Sequence, residues 1–144
     1  MQDKSYTDIF VESTDEKTVH ASDLHKEWDV IVPEIEWVTG DLNWDGLFKG
    51  NKLIGYICYA ELGGVIDLKE LLVGEEFRRK GYATLLLKSL VVTAKLMKAH
   101  KIVLETSEKH EEALDFYYDF GFRTEATLRK DKFRLTWYRL SYPV

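Results

Sequence analysis

A run of cations followed by a glycine is the feature of this chain best suited to chemistry. In EEFRRKGYATLLL, residues 75–87, Arg78, Arg79 and Lys80 stand directly before Gly81. The first N–H groups of a helix lack intrahelical partners and lie at the positive end of its dipole. A glycine there lets a bulky anion approach the backbone, and the small Ala83 keeps the next turn clear. The corner therefore suits a diphosphate; the alternative is a solvated charge run with an ordinary turn glycine.

The segment before this corner carries an acid on an apolar face. VIDLKELLV, residues 65–73, alternates as a strand does and places Glu70 on one face with Ile66, Leu68 and Leu72. Desolvation raises the proton affinity of such a carboxylate, which is the direction needed in a base that deprotonates an ammonium group. Glu70 is therefore a candidate base, acting directly or through water. An acid at the site rim that only attracts a cationic substrate is the alternative.

The elements that position these residues follow from hydrophobic periodicity. From Gly81 onward the spacing predicts an amphipathic helix of about five turns, because apolar residues recur every three or four positions; they are Ala83, Leu86, Leu87, Leu90, Ala94 and Met97. KIVLET predicts the next strand. A second helix follows, with Ser107 as its candidate N-cap and Gly121 placed to end it.

The remaining segments complete an order of strand, helical region, three strands, helix, strand, helix and two strands. DIFVE (8–12) is strand-like, and Thr14 is a capping-type residue for the helical region. Residues 44–49 and 52–61 predict a hairpin around Gly50 and Asn51. Pro33 argues against one long element within residues 14–43. The tail predicts two strands with KDK as the turn between them.

Composition bounds the class of protein. The 144 residues, 45% apolar and 31% charged, fit one globular domain spanning 1–144. The N-terminus has no signal-like pattern and no apolar run approaches the roughly 20 residues of a membrane span, so we expect a soluble, cytoplasmic protein. The net charge of -5 disfavours nucleic acid and anionic lipid as partners and fits a cationic or amine-bearing one.

Cysteine and histidine usage indicates no metal site. The single cysteine, Cys58, lies in the apolar run LIGYICY and is predicted to be a buried small hydrophobe. His20, His25 and His100 lack the spacing of metal ligands and are predicted to be surface residues.

Two motifs resemble those of one family. LLVGEEFRRKGYATLLL resembles the acetyl-CoA motif of the GNAT acetyltransferase superfamily, and LETSEKHEEALDFYYDFGF (104–122) is similar to its second motif. The resemblance covers about residues 44–122; the tail is consistent with the last two strands, whereas the first 43 residues match poorly. It implies an α/β fold with a central, mostly antiparallel, twisted sheet of about seven strands and helices on both faces.

The resemblance assigns residues to the cofactor. The strand residues Leu71, Leu72 and Val73 would pair with the pantetheine arm. The pyrophosphate would be wrapped by the loop and first helical turn, that is, by Arg78, Arg79, Lys80, Gly81, Tyr82, Ala83 and Thr84. His110 stands where the family usually has a cofactor-holding asparagine, so it either substitutes as a donor or the contact is lost.

The resemblance also implies catalytic roles. The Val73 N–H would donate to the thioester oxyanion, a preorganised interaction often worth about 2–4 kcal/mol. Tyr117 matches a tyrosine that protonates the departing thiolate, and a phenol pKa of about 10 suits that step. Tyr117 also falls on the apolar stripe of its predicted helix with Ala113, Phe116 and Phe120, where a core aromatic is the alternative.

Together these assignments predict an N-acetyltransferase that moves an acetyl group directly from acetyl-CoA to a primary amine, without metal and without an acyl-enzyme on Cys58. The acceptor could be a protein N-terminus, a lysine or a small amine, and the protein a monomer or homodimer. A non-catalytic acetyl-CoA or CoA sensor is the alternative. An RNA-binding RNP1 reading of KGYATLLL fails, because Thr84 and Leu87 stand where aromatics are required and the segment is helical.

Overall fold

The computed structural model describes residues 9–24, 26–27 and 41–144. The strands are β1 (Ile9–Thr14), β2 (Asn43–Lys49), β3 (Lys52–Leu62), β4 (Val65–Val73), β5 (Lys101–Ser107), β6 (Arg123–Lys130) and β7 (Thr136–Pro143). The helices are α1 (Glu16–Ala21), α2 (Tyr82–Leu96) and α3 (Glu111–Phe120), with a 3-10 turn at Glu75–Phe77. The predicted order of elements is confirmed.

All seven strands belong to one sheet, in the order β1-β2-β3-β4-β5-β7-β6. β4 and β5 run parallel, and their pairing joins Val65–Asp67 to Lys101–Val103. The pairs β1–β2, β2–β3, β5–β7 and β6–β7 are antiparallel. The predicted α/β fold with a mostly antiparallel, seven-stranded sheet is therefore confirmed.

The chain forms two compact units: one comprises residues up to Ala60 together with Leu68–Val92, and the other comprises Glu61–Asp67 together with Thr93–Val144. In the first unit a buried cluster joins α1 to one face of β2, β3 and β4; it contains Val19, Leu24, Trp44, Tyr56, Cys58 and Leu72. In the second unit the buried residues are mostly aliphatic, with Phe122 among them, and an aromatic cluster is formed by ring contacts among Tyr117, Phe120, Phe122 and Tyr142.

The leucine spacing after the cationic run forms the predicted helix. Leu86, Leu87 and Leu90 are fully buried, as the period of three and four residues requires. The helix is shorter than predicted: its 15 residues make about four turns, and Met97 lies just beyond its end with 41% of its surface exposed. The helix begins at Tyr82, directly after the cationic run and Gly81.

Two predicted helix starts are wrong. Ser107 is the last residue of β5, paired with Trp137 on β7, and lies four residues before the first helical residue, Glu111; His110 holds the N-cap position of α3 instead. The N-cap of α1 is Asp15, whose carboxylate accepts a hydrogen bond from the Thr18 N–H at 2.7 Å, whereas Thr14 ends β1. The predictions for Pro33 and His25 lie outside the described residues.

Candidate functional site

Glu70 lies on the buried face of β4. Burial alternates along this strand, and Glu70 is only 8% exposed, on the same face as Ile66, Leu68 and Leu72. The pKa of the Cys58 thiol on β3 is raised, first by burial and then by the negative charge of Glu70 on β4. The prediction that Glu70 lies on the apolar face of its strand is confirmed.

The end of β4 presents backbone groups on the edge away from β3. The Gly74 N–H donates to the Ile54 carbonyl on β3 at 2.8 Å. Because successive peptide groups of a strand point to opposite edges, the N–H and carbonyl of Val73 project away from β3. The side chain of Arg78 reaches this carbonyl, with Nε donating to it at 3.0 Å. By the same alternation the Leu71 N–H shares that edge, whereas Leu72 faces β3.

The loop between the 3-10 turn and α2 is tightly curled. Arg79 and Gly81 have left-handed backbone conformations, with φ of 61° and 82°. The first helical hydrogen bond runs from the Leu85 N–H to the Gly81 carbonyl at 3.1 Å, so the N–H groups of the preceding four residues have no intrahelical acceptor. A Cβ added at Gly81 would meet no atom within 4 Å. The loop therefore offers an open, positively polarised backbone, as an anion requires.

The side chains of the cationic run take different directions. Lys80 lies over the ring of Phe77, with Nζ 5.8 Å from its centroid, and Lys52 of β3 lies 5.3 Å from the same centroid. Arg78 instead donates from Nη2 to Oε1 of Glu27 at 3.0 Å. Lys52 and Glu27 were both missed by the sequence analysis, because no local spacing links them to residues 78–81. Lys52 adds one cation beside the loop, and Glu27 engages another.

His110 occupies the N-cap position of α3, in the second unit. Its backbone N–H donates to the Ser107 carbonyl at 3.0 Å, and its side chain makes no capping hydrogen bond. Burial, followed by the charge of Lys109, lowers the pKa of His110, so its imidazole is neutral at pH 7. A neutral imidazole carries one N–H donor, whereas an asparagine side-chain amide carries two, so His110 can supply one of the two donors that an asparagine would offer.

Tyr117 belongs to α3, and its ring is part of the aromatic cluster of the second unit. Its ring contacts Phe116 and Phe122 edge-on, with centroids 5.3 and 5.4 Å away. Burial raises the pKa of the phenol above its ordinary value of 10, so the hydroxyl stays protonated across the physiological range. Gly121, with φ of 127°, ends the helix and donates to the Tyr117 and Tyr118 carbonyls, as predicted.

Cys58 is a buried free thiol, as predicted, and its raised pKa keeps it un-ionised. Of the other predicted surface residues, His20 and His100 are exposed. Within residues 9–24, 26–27 and 41–144, no group of three or more His, Cys, Asp or Glu side chains is placed to hold a metal ion. None of the helices in this described part combines the length and apolarity needed to cross a bilayer.

Residues 4–122 match the model of the acetyltransferase (GNAT) family. A comparison with curated proteins gives no significant sequence match. Among solved structures, a Bacillus subtilis acetyltransferase in complex with CoA is 19% identical, with a TM-score of 0.74 over 95% of this chain and 99% of that one.

Two further structures show the same fold. A GNAT family acetyltransferase from Elizabethkingia anophelis with acetyl-CoA bound is 18% identical, with a TM-score of 0.72 over 94% of this chain and 98% of that one. The ribosomal-protein-S18-alanine N-acetyltransferase of Escherichia coli is 14% identical, with a TM-score of 0.70 over 94% of each chain. At these identities the likeness concerns the fold.

Proposed function

Because this chain belongs to the GNAT acetyltransferase family, we propose that it is a single catalytic domain that transfers an acetyl group from acetyl-CoA to a primary amine by direct attack. The observation that carries the proposal is the curled loop ahead of α2, with its left-handed Arg79 and Gly81 and its four N–H groups without intrahelical acceptors. Such a backbone fits a diphosphate, and Lys80 and Lys52 add charge beside it.

The edge of β4 away from β3 supports a place for the pantetheine arm. The Val73 N–H and the backbone groups of Leu71 lie on that edge, where an extended ligand could pair with them, whereas the Val73 carbonyl already accepts from Arg78. Acetyl-CoA supplies the thioester that carries the acetyl group. The Val73 N–H, fixed by the strand, would donate to the thioester oxygen as negative charge develops there. A donor held in place by β4 needs no reorganisation during the reaction.

Glu70 is proposed as the base that removes a proton from the incoming ammonium, directly or through water. At 8% exposure it is too buried for an acid at a solvent rim, so its position favours the base over that alternative. Removal of one proton leaves a neutral amine whose lone pair forms the new C–N bond while the C–S bond breaks. The nitrogen then loses its second proton, which neutralises the departing thiolate to give CoA.

Tyr117 is proposed as the hydrogen-bond donor to the departing sulfur. Its raised pKa keeps the hydroxyl available at every pH at which the enzyme would operate. The same shift makes complete proton transfer to a thiolate uphill by about 1.4 kcal/mol for each unit of pKa difference. Stabilisation of the sulfur by a hydrogen bond therefore fits Tyr117 better than full ionisation of the phenol does.

The acceptor is proposed to be a cationic amine. The net charge of -5 favours a protein N-terminus, a lysine or a small polyamine over an anionic substrate. One structure of the same fold is a ribosomal-protein-S18-alanine N-acetyltransferase, and we therefore propose peptides that begin with alanine and have a free N-terminus as the first acceptors to screen.

The test combines binding with turnover. Acetyl-CoA is titrated calorimetrically into the protein, and release of CoA is then measured with N-terminal peptides, lysine peptides and spermidine. Binding at one site per chain with acetylation of at least one amine class supports the proposal. Binding without turnover, unchanged in Glu70→Gln and Tyr117→Phe, would favour a CoA sensor. Absence of acetyl-CoA binding by the folded protein refutes both.

A further inference from the structure

Arg78 and Glu27 form a bridge between the helical residues at 26–27 and the end of β4. The Arg78 guanidinium donates from Nε to the Val73 carbonyl and from Nη2 to Oε1 of Glu27, both at 3.0 Å. The same carboxylate oxygen accepts from the Glu75 N–H at 3.2 Å. We call the set of Glu27, Val73, Glu75 and Arg78 the clasp. It fixes both ends of the segment that leads from β4 into the cationic loop.

The geometry of the clasp matters more than its charge. The two side chains are 43% and 32% exposed, and an ion pair so open to water contributes little by its charge alone. A planar guanidinium, however, can donate to a backbone carbonyl and to a carboxylate at the same time. A lysine ammonium at position 78 would carry the same charge without this fixed fork. The arrangement therefore uses a property specific to arginine.

Resting on the function proposed above, we infer that Glu27 is a positioning residue for the acyl-donor site, acting through Arg78. The guanidinium of Arg78 serves the backbone at the end of β4 and does not bind the diphosphate directly. The Glu27 carboxylate accepts hydrogen bonds from that guanidinium and from the first N–H of the 3-10 turn. It therefore fixes the backbone position of residues 74–78, which lead to α2. Of the three cations, Arg79 and Lys80 then remain for the diphosphate.

The clasp also ties two parts of the chain that the motif does not connect. Glu27 lies 51 residues before Arg78, within the part of the chain that the family model matches but outside both motifs of the sequence analysis. Movement of the helical residues at 26–27 would therefore shift Arg78 and, through it, the backbone at Val73, whose N–H is proposed to face the thioester. Acetyl-donor affinity is thus expected to depend on a residue in the N-terminal part of the chain.

Two substitutions of Arg78 separate positioning from direct phosphate binding. If Arg78 works through its fork, Arg78→Lys weakens acetyl-CoA binding about as much as Arg78→Ala, by roughly tenfold. Glu27→Ala gives a similar loss, and the double variant Glu27→Ala/Arg78→Ala is no weaker than either single one. Glu27→Gln retains most of the affinity, because an amide oxygen can still accept both hydrogen bonds. Wild-type affinity in Arg78→Lys, or tighter binding in Glu27→Ala, would show that Arg78 is a phosphate ligand and overturn the inference.

The matched control is the pair of Arg139 and Glu105, which lies 2.7 Å apart with side chains 43% and 40% exposed. Glu105→Gln removes one charge from a pair of nearly the same exposure, and acetyl-CoA affinity should stay at the wild-type value. A loss equal to that of Glu27→Ala would show that breaking an exposed ion pair away from the loop lowers affinity just as much, and would refute positioning by Glu27.

Amide hydrogen exchange tests the clasp without acetyl-CoA, so the clasp can be tested independently of the proposed function. Amide hydrogen exchange at Glu75 should accelerate about tenfold in Glu27→Ala and remain near the wild-type rate in Glu105→Gln. If the wild-type protein fails to bind acetyl-CoA, the proposed function falls while this measurement still decides the clasp. An exchange rate at Glu75 that is the same in wild type and Glu27→Ala removes the clasp, whatever the protein binds.

Discussion

Replacing Gly81 by glutamate tests the anion-binding loop most directly. The backbone there is left-handed, with φ of 82°, and a Cβ would meet no atom within 4 Å, so the substitution clashes with nothing. The cost to the fold is the left-handed conformation of a residue with a Cβ, about 1–2 kcal/mol. Gly63 offers a matched control because it has φ of 60° and equally open space, in the turn between β3 and β4. Gly81→Glu and Gly63→Glu should therefore lose similar amounts of stability.

The two variants should differ in acetyl-CoA affinity. A carboxylate on residue 81 would stand about 5 Å from a phosphate held by the first N–H groups of α2, and at an effective dielectric constant of about 20 the repulsion is about 3 kcal/mol. This corresponds to a loss of about 100-fold in affinity. Gly81→Ala adds bulk without charge and should lose less than tenfold. Gly63→Glu should bind as the wild type does.

Isothermal titration of acetyl-CoA into each variant measures the affinities, and thermal unfolding of the same samples confirms that the two glutamate variants are comparably folded. If Gly81→Glu binds acetyl-CoA as tightly as Gly63→Glu does, the loop at residues 78–81 does not hold the diphosphate. In that case residues 78–81 would be a charged turn, and the diphosphate would lie elsewhere.

The remaining predictions concern the catalytic and structural side chains. Glu70→Gln keeps the shape of a buried side chain but cannot accept a proton, so kcat should fall about 100-fold or more in steady-state assays while acetyl-CoA affinity is kept. Tyr117→Phe preserves the ring packing on Phe122 and should lower kcat by at least tenfold in the same assays. The lowered pKa of His110 means that its protonation opposes folding, so wild-type stability should decline as pH falls below 6.5; His110→Asn should flatten this decline in thermal unfolding and keep acetyl-CoA binding at pH 7.5. Hydrogen bonds from the Trp137 indole and two backbone N–H groups lower the pKa of Asp131 below 3.8, so its contribution is present above that pH and lost below it; Asp131→Asn should make acid unfolding less steep.

Each of these has an outcome that contradicts it. An unchanged kcat in Tyr117→Phe would leave Tyr117 as a core aromatic, and an unchanged kcat in Glu70→Gln would move the base elsewhere. Loss of acetyl-CoA binding in His110→Asn would show that the imidazole does more than supply one N–H donor. An identical acid transition in Asp131→Asn would mean that the β6–β7 loop opens before the rest of the protein unfolds.

The order of strands and helices and the loop at residues 78–81 could be predicted, because both depend on the pattern of residues close together in the sequence. Alternation fixed the buried face of β4 and the position of Glu70 on it, and the spacing of Leu86, Leu87 and Leu90 fixed the buried face of α2. A glycine after a cationic run, between a strand and a helix, indicated an accessible backbone, and the structure has open space beside Gly81. These features follow from dihedral preference and periodicity, which neighbouring residues determine.

The sequence by itself determined the succession of strands and helices, the apolar faces and the family motifs, since each is encoded within a few residues. Tertiary structure decided what the long polar side chains do. Ser107 belongs to β5 because Trp137 pairs with it, and the Arg78 guanidinium donates to the Val73 carbonyl and to the Glu27 carboxylate. Such contacts depend on which segments far apart in sequence meet in the fold, and the spacing of neighbouring residues does not encode which segments these are.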